Sequence, residues 1–308
     1  MWSNIAEQVF SLTMIALILR ATTPILLAAL GGLISDITGV TNIGLEGLLL
    51  ISAFTSISVS SVTGNWVLGV VSGVLACIVI SIGMGFVHLK MDVDIIITGF
   101  AVNLIGSAAT VFLMARFFGV AGSYNPSDLS KIPNVNIPII RDVPFLGPLL
   151  SGHNLMVWVA LASVVFCFIM LYRTPYGVHL RAVGETKETV QSVGINATWL
   201  QYSAFMWSGF FVGLGGAFIS MGMTSMFIKD MTAGLGFLAL AVVLLGNRNP
   251  VGVFIGSFIF GTAKALETVI QTIPNSPIPS QLVQIIPYVI TIIALVAYAM
   301  RKKKVQQN

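Results

Sequence analysis

The sequence predicts an all-α integral membrane protein, a polytopic helix bundle with about eight to nine transmembrane segments. Of its 308 residues, 56% are hydrophobic and only 8% are charged, whereas soluble domains carry about 25% charged residues. The apolar residues fall into runs of roughly 20, the length that a helix needs to cross a bilayer. Only short polar segments separate most of these runs. We therefore interpret residues 1–308 as one transmembrane domain.

Nine apolar segments are predicted to be membrane helices. Eight have bounds typical of full spans, namely 10–34, 43–62, 66–88, 95–117, 153–172, 199–222, 252–271 and 281–300. The remaining segment, 234–246, is short and follows a stretch that contains glycine. Half-length helices are tolerated at membrane depth only where protein or a cavity surrounds them, so this short or re-entrant segment indicates a transport pathway.

The distribution of basic residues predicts how the chain is oriented. If the C-terminus is cytoplasmic, the inner bases are Lys90, Arg173, Arg181, Lys187, Arg248, Arg301, Lys302, Lys303 and Lys304. The outer bases are then only Arg116, Lys131, Arg141 and Lys229. Cytoplasmic segments are enriched in Lys and Arg, which favours this orientation. It makes the proline-rich segment 118–152 extracellular and the polar segment 173–197 cytoplasmic.

The cytoplasmic segment is longer than a simple connection between two spans requires. It contains a predicted short helix, Glu185–Val193, with Gly184 and Gly194 placed to turn the chain at its two ends. A small helix at the inner face is suited to binding another protein, and an ordinary solvated loop is the alternative. The side chains that the helix would present are Glu185, Lys187, Glu188, Thr189 and Gln191 on its polar side and Val190 and Val193 on its apolar side.

Polar side chains within the predicted spans are the candidates for a translocation pathway. Asn42 and Glu46 lie at the start of the second span, and Asn103 lies in the middle of the fourth. Such groups are costly in hydrocarbon, so we expect all three to face the interior of the bundle. For Glu46, a carboxylate that caps a helix N-terminus is an equal alternative. Lys264 and Glu267 lie three apart and are expected to neutralise each other.

Several enzyme classes find no support in the sequence. It has no G-x-x-x-x-G-K-[ST] phosphate loop, so we expect no ATP hydrolysis by this chain. It also lacks the H-E-x-x-H and G-x-S-x-G motifs, and its histidines and cysteines do not have metal-binding spacing. We therefore expect no catalytic residues, metal or cofactor in this chain. The net charge of +4 does not indicate nucleic-acid binding, because the bases are scattered at segment ends.

Three stretches of the sequence resemble a known transporter family. Residues 23–54, TPILLAALGGLISDITGVTNIGLEGLLLISAF, resemble a signature of the permease subunits of bacterial ABC importers for branched-chain amino acids, simple sugars and nucleosides. Residues 181–196, RAVGETKETVQSVGIN, look like the coupling-helix loop of that family. Residues 232–253, TAGLGFLALAVVLLGNRNPVGV, look like its re-entrant segment. The run GGLISDITGVTNIGLEG is similar to the smaller permease of nucleoside importers that use a basic membrane lipoprotein-type binding protein.

The resemblance implies the ABC importer permease fold in a bacterial cell membrane, with many passes and a cytoplasmic C-terminus. It implies that this chain forms half of a nucleoside pathway, as a heterodimer with a second, larger permease. An extracellular lipoprotein would deliver the substrate. ATP and Mg would bind to a separate cytoplasmic ATPase, which would contact Glu185–Gly194. A permease for simple sugars or branched-chain amino acids is the near alternative, and an ATPase-independent secondary transporter or channel is the remote one.

Overall fold

The computed structural model describes residues 12–120, 122–135 and 152–272, with seven isolated positions between 283 and 300. The helices in these ranges are α1 (Leu12–Ile37), α2 (Leu45–Thr63), α3 (Trp66–Met91), α4 (Ile95–Phe118), α5 (Leu155–Arg173), α6 (Pro175–Glu185), α7 (Lys187–Ser192), α8 (Ala197–Ala217), α9 (Leu235–Leu245) and α10 (Pro250–Gln271). A π-helical turn, Phe218–Thr224, extends α8. The short strands are β1 (Ser123–Tyr124), β2 (Asn134–Val135), β3 (His153–Asn154) and β4 (Phe227–Ile228).

The prediction of a polytopic helical membrane protein is confirmed. Among the described residues, seven helices are long and apolar enough to cross a membrane: α1 to α5, α8 with its π-helical turn, and α10. The predicted short segment is also present, because α9 has only 11 residues and is about 16 Å long at 1.5 Å per residue. The predicted span 281–300 lies almost wholly outside the described residues.

Most of the long helices begin with a side-chain cap from their own sequence. The capping residue accepts a hydrogen bond from an amide of the first turn, which satisfies a donor that has no partner within the helix. These caps are Asn65 for α3, Asp94 for α4, Asn154 for α5, Asn196 for α8 and Asn249 for α10. Helices α2 and α9 instead begin after Gly44 and Gly234, which offer no side chain. Their first amides need partners from elsewhere in the fold.

Helices α1, α2, α3 and α8 form the centre of the bundle, where the side chains of α1 from Ile25 to Leu30 are at most 1% exposed. Glycine allows the backbones to meet at this centre. A Cβ atom at Gly209 of α8 would lie 2.7 Å from the carbonyl oxygen of Cys77 in α3. Close approach of small residues is the usual way in which helices pack inside membranes.

The described part of the predicted outer segment is made of strands and turns. β1 pairs antiparallel with β4, and β2 pairs antiparallel with β3. The rings of Phe118 and Tyr124 stack with centroids 3.9 Å apart, and Phe227 of β4 packs against Phe54 of α2 at 5.4 Å. The outer segment is thereby fastened to the stretch that leads from β4 to α9.

The predicted cytoplasmic helix differs from the structure in three respects. Glu185 ends α6, and a new helix, α7, starts at Lys187 after an extended Thr186. Gly184 does not turn the chain, because it lies within α6 and its missing side chain makes room for the carbonyl oxygen of Ile37 at the end of α1. Gly194 does turn it, with φ of +83°.

The third difference concerns the apolar side of that helix. Val190 is only 5% exposed, whereas Val193 is 69% exposed. Val190 therefore packs inward against the rest of the protein, and the expectation that Val190 and Val193 form one presented apolar side is wrong. The helix ends at Ser192, so Val193 does not follow the helical phase that would place it beside Val190. A part for Val190 in ATPase binding stays a prediction.

Candidate functional site

The start of α2 is capped by a side chain from α4. Asn103 Oδ1 accepts a hydrogen bond from the amide of Gly47 at 2.8 Å, and its Nδ2 donates to the carbonyl oxygen of Ile43 at 3.0 Å. Asn103 is 9% exposed. The expectation that this amide faces the interior of the bundle is confirmed, and its partners are backbone groups of the segment that leads into α2.

Asn42 fixes the same segment from the other side. Its Oδ1 accepts a hydrogen bond from the amide of Gly44 at 2.9 Å, and its Nδ2 donates to the hydroxyl of Ser208 in α8 at 2.9 Å. The amide of Asn42 donates to the hydroxyl of Ser35 at 3.1 Å. Asn42 is fully buried, as expected. Both asparagines thus position the start of α2, and a part for them in a pathway stays a prediction.

Glu46 caps a helix, but the helix is α9 rather than its own. Its Oε1 accepts hydrogen bonds from the hydroxyl of Thr232 at 2.5 Å and from the amide of Gly234 at 2.8 Å. Its Oε2 accepts one from the amide of Gly236 at 2.6 Å. A carboxylate is favoured at a helix N-terminus because the unpaired amides and the helix dipole carry partial positive charge there. The glycines of α9 allow this approach, since a Cβ atom at Gly236 would lie 2.6 Å from Glu46 Cα.

These capping bonds lie inside the membrane-spanning region. Asn103 lies about 12 Å along α4 from Ile95, at 1.5 Å per residue. Met84, whose Sδ would lie 3.2 Å from a Cβ atom at Gly44, lies about 10 Å before the end of α3 by the same rise. Hydrogen bonds are stronger in such low-dielectric surroundings, and unpaired polar groups are costly. The starts of α2 and α9 are therefore firmly joined at this depth.

A second polar contact, which the sequence pattern does not predict, lies next to this junction. Asp230 Oδ1 accepts a hydrogen bond from the hydroxyl of Ser107 in α4 at 2.6 Å. Asp230 belongs to the irregular stretch between β4 and α9, where Asp230, Ala233 and Gly234 all have positive φ. We call Glu46, Ser107, Asp230 and Thr232 the polar seam. The sequence contains one signal for this contact, because two adjacent charged residues, Lys229 and Asp230, lie a few residues before a half-length apolar helix.

The other end of α9 contacts the predicted cytoplasmic segment through charged groups. Arg248 follows α9, and its Nε lies 3.5 Å from Asp36 Oδ2 at the end of α1. Its Nη1 lies 3.3 Å from Glu185 Oε1 at the end of α6. Thr41 donates a hydrogen bond to Asp36 at 2.7 Å, and Tyr172 donates one to the carbonyl oxygen of Arg248 at 3.2 Å. These contacts join α1, α6 and the loop after α9.

The remaining residues predicted to bind an ATPase lie on the surface of α6 and α7. Lys187 is half-buried, and the exposed ones are Glu185, Glu188, Thr189, Gln191 and Gly194. They form one polar surface beside the charged contact of Arg248. Binding of an ATPase to this surface stays a prediction.

The predicted pair on α10 is formed. Lys264 Nζ lies 2.9 Å from Glu267 Oε2, and Gln271 Nε2 donates a hydrogen bond to Glu267 Oε1 at 3.1 Å. Glu267 is 4% exposed. The carboxylate is paired with Lys264 within its own helix, as expected of a neutralised pair.

Comparison with known proteins gives consistent matches over nearly the whole chain. A family model described as branched-chain amino acid transport system / permease component matches residues 14–295. The nucleoside ABC transporter permease protein NupC of Lactococcus lactis is 30% identical over 293 residues, covering 92% of this chain and 91% of that protein. The guanosine ABC transporter permease protein NupQ of Bacillus subtilis is 30% identical over 316 residues, covering 98% and 96%.

Two further matches are more distant. The nucleoside ABC transporter permease protein NupB of Lactococcus lactis is 23% identical over 280 residues, covering 87% of this chain and 75% of that protein. A chain of the solved structure of PsaBC from Streptococcus pneumoniae in complex with Fab aligns with a TM-score of 0.52 at 15% identity, covering 96% and 95%. At that identity the likeness concerns the fold alone.

Proposed function

Since this chain belongs to the permease-component family of branched-chain amino acid transport systems and is a multi-pass permease subunit of an ABC importer, we propose that it forms half of a pathway for nucleoside uptake. The observation that carries the proposal is the half-length helix α9, whose N-terminus is held by Glu46 at membrane depth. Interrupted helices of this kind are typical of transport pathways. The nucleoside preference is supported by the names of NupC and NupQ.

The pathway needs a second half and an energy source. Similarity of this chain to both NupC and NupB, two permeases of one organism, supports a heterodimer with a second, larger permease. ATP and Mg would bind to a separate cytoplasmic ATPase, which fits the absence of a phosphate loop in the sequence. An extracellular lipoprotein would deliver the nucleoside. In this proposal the C-terminus and segment 173–197 are cytoplasmic, and segment 118–152 faces the lipoprotein.

The contacts at the two ends of α9 suggest how the ATPase acts on the pathway. The ATPase would hold the polar surface of α6 and α7, and its movement would reach Arg248 through Glu185. Because α9 is short and directly follows the polar seam, a shift at its cytoplasmic end would alter its start beside Glu46. Asn42 and Asn103 would keep the start of α2 fixed while α9 moves.

A reconstitution experiment tests this function. The chain, its second permease, the ATPase and the lipoprotein are assembled in proteoliposomes, and uptake of guanosine, glucose and leucine is measured with and without ATP. We expect guanosine accumulation that requires ATP, the ATPase and both permeases. Accumulation by this chain alone would establish the secondary-transporter alternative. Accumulation of glucose or leucine without guanosine would establish one of the near alternatives.

A further inference from the structure

We propose that the carboxylate of Asp230, oriented by Ser107, is a ligand-binding site that accepts hydrogen bonds from the ribose hydroxyl groups of the transported nucleoside. The proposal rests on the proposed function, because the ligand class follows from it. It goes further in assigning a substrate contact to a stretch of the chain that carries no recognisable motif.

The depth of the pair is the first observation. Ser107 lies about 18 Å along α4 from Ile95, halfway along a helix of 24 residues. Asp230 Oδ1 is 2.6 Å from the Ser107 hydroxyl and is therefore at nearly the same depth. The hydrocarbon core of a bilayer is about 30 Å thick, so the pair lies near its middle.

Exposure of the carboxylate at this depth is the second observation. Asp230 is exposed in the isolated chain, although a charge that faces lipid at mid-membrane is strongly disfavoured. By contrast, the exposed residues on α3 at comparable depth are Leu75 and Val79, which suit lipid. The face that carries Asp230 must therefore adjoin water or polar groups, as the wall of a pathway between two permeases does.

The hydrogen-bonding capacity of Asp230 indicates the ligand. The Ser107 hydroxyl donates to Oδ1, and no hydrogen bond to Oδ2 is found among the described residues. A carboxylate is an acceptor only, so the group that it binds must be a donor. Vicinal ribose hydroxyls are such donors, and acidic residues bind ribose hydroxyls in dinucleotide-binding proteins for this reason.

The backbone around Asp230 supports a functional role rather than a simple turn. Positive φ angles occur at Ser225, Asp230, Ala233 and Gly234 within ten residues. Such conformations cost free energy for residues other than glycine and persist where surrounding contacts impose them. Here the contacts are β1–β4 pairing on one side and the Glu46 cap on the other. The carboxylate is therefore held in a preset position between two fixed points.

Thiol labelling tests whether the pair lines an aqueous path. In the complete importer, Asp230→Cys and Ser107→Cys are exposed to a membrane-impermeant maleimide, with Val79→Cys on the lipid face as the control. The native Cys77 and Cys167 are fully buried and give little background. We expect rapid labelling at positions 107 and 230, slowed by guanosine at position 107, where Asp230 is retained, and little labelling at position 79. Equal, slow labelling at all three positions would overturn the proposal.

Substrate discrimination tests the hydroxyl contact itself. Uptake of guanosine and of 2′,3′-dideoxyguanosine is compared between the native importer and Asp230→Asn. Asn tolerates positive φ as Asp does, so the backbone should be preserved. We expect guanosine uptake to fall about tenfold, the effect of one hydrogen bond to a charged group, while dideoxyguanosine uptake changes little. The lipoprotein is the same in both assays, so the changed ratio reports on the permease.

The outcomes separate this proposal from the function on which it rests. No guanosine uptake by the native importer would contradict the nucleoside function. Native guanosine uptake with an unchanged ratio in Asp230→Asn, or with equal losses for both substrates, would contradict only the ribose contact. If Asp230→Asn does not assemble with the ATPase, protection of Ser107→Cys by guanosine but not by dideoxyguanosine decides the question, and equal protection by both overturns the contact.

Discussion

The two ends of α9 are held in physically different ways. At its N-terminus, the Glu46 carboxylate accepts three hydrogen bonds of 2.5–2.8 Å at membrane depth. At its C-terminus, Arg248 forms ion pairs of 3.3 and 3.5 Å, with side chains that are 48% exposed for Arg248, 79% for Glu185 and 17% for Asp36. Exposed ion pairs contribute only about 0–1 kcal/mol each, whereas charge-assisted hydrogen bonds away from water contribute about 1.5–3 kcal/mol each.

This difference makes the N-terminus of α9, held by Glu46, its fixed end and the C-terminus, held by Arg248, its releasable end. Breaking the Glu46 cap would leave the amides of Gly234 and Gly236 unpaired where water does not replace them. Breaking the Arg248 contacts costs less, because water reaches Arg248 and Glu185 and because Asp36 keeps its hydrogen bond from Thr41. In a transport cycle driven from the cytoplasm, we therefore expect the Arg248 contacts to break and re-form, and the Glu46 cap to persist.

Removing the fixed end should have the largest effect. Glu46→Gln replaces one carboxylate oxygen with an NH₂ group, which places a donor against a backbone donor. We expect a cost of about 2–4 kcal/mol from a lost charged hydrogen bond and an unpaired amide, and loss of most ATP-dependent uptake. Asp128→Asn, an equivalent change on the exposed outer segment, is the control. Uptake at the native level in Glu46→Gln, at equal protein amounts, would reduce the cap to an incidental contact.

Separating α9 from α2 without changing charge should have the next largest effect. In Gly236→Ala the new methyl group meets the backbone of Glu46 at 2.6 Å from its Cα. We expect a cost of about 1–3 kcal/mol for this overpacking and a clear fall in both thermal stability and uptake. Gly83→Ala on α3 is the matched control, since nothing lies within 4 Å of its added Cβ atom. Equal behaviour of the two variants would show that the close contact is not required.

Weakening the releasable end should have a moderate effect of a different kind. Arg248→Gln keeps most of the side-chain length and removes two ion pairs, each worth about 0.2–1 kcal/mol. We expect assembly and ATP hydrolysis to continue while uptake per ATP hydrolysed falls about threefold to tenfold, and added salt to have a similar effect on the native importer. Lys131→Gln on the outer segment is the control. An unchanged ratio of uptake to hydrolysis would exclude Arg248 from coupling.

The sequence allowed prediction of what depends on local pattern. Runs of apolar residues predicted the spans, and the shortness of segment 234–246 predicted the half-length helix α9. The cost of leaving an amide side chain in hydrocarbon predicted that Asn42 and Asn103 face inward. The partners could not be predicted in the same way. Glu46 meets Gly236, and Ser107 meets Asp230, only because α2, α4 and α9 pack side by side, and nothing in a local pattern specifies which helices become neighbours.

The errors in the cytoplasmic segment have the same cause. Gly184 was interpreted as a turn residue because glycine favours turns, yet it is helical and serves close packing against Ile37. Glycine has both uses, and only the neighbouring element distinguishes them. The different exposures of Val190 and Val193 likewise depend on where α7 ends, at Ser192, which a helix-prone stretch does not reveal.

The smallest expected effect concerns the packing of α7, the short helix that follows α6 near the Arg248 contacts. Val190 is 5% exposed and Val193 is 69% exposed, so the two valines separate internal packing from partner contact within one turn. Val190→Ala should cost about 1.6 kcal/mol of local stability, because it removes two buried methyl groups worth about 0.8 kcal/mol each, and hydrogen exchange of the α7 amides should rise. Val193→Ala should leave that exchange unchanged and weaken only ATPase binding, measured by copurification. The reverse pattern, with faster exchange in Val193→Ala alone, would mean that α7 turns its other face to the bundle, and the exposed polar surface would then have to be assigned to different residues.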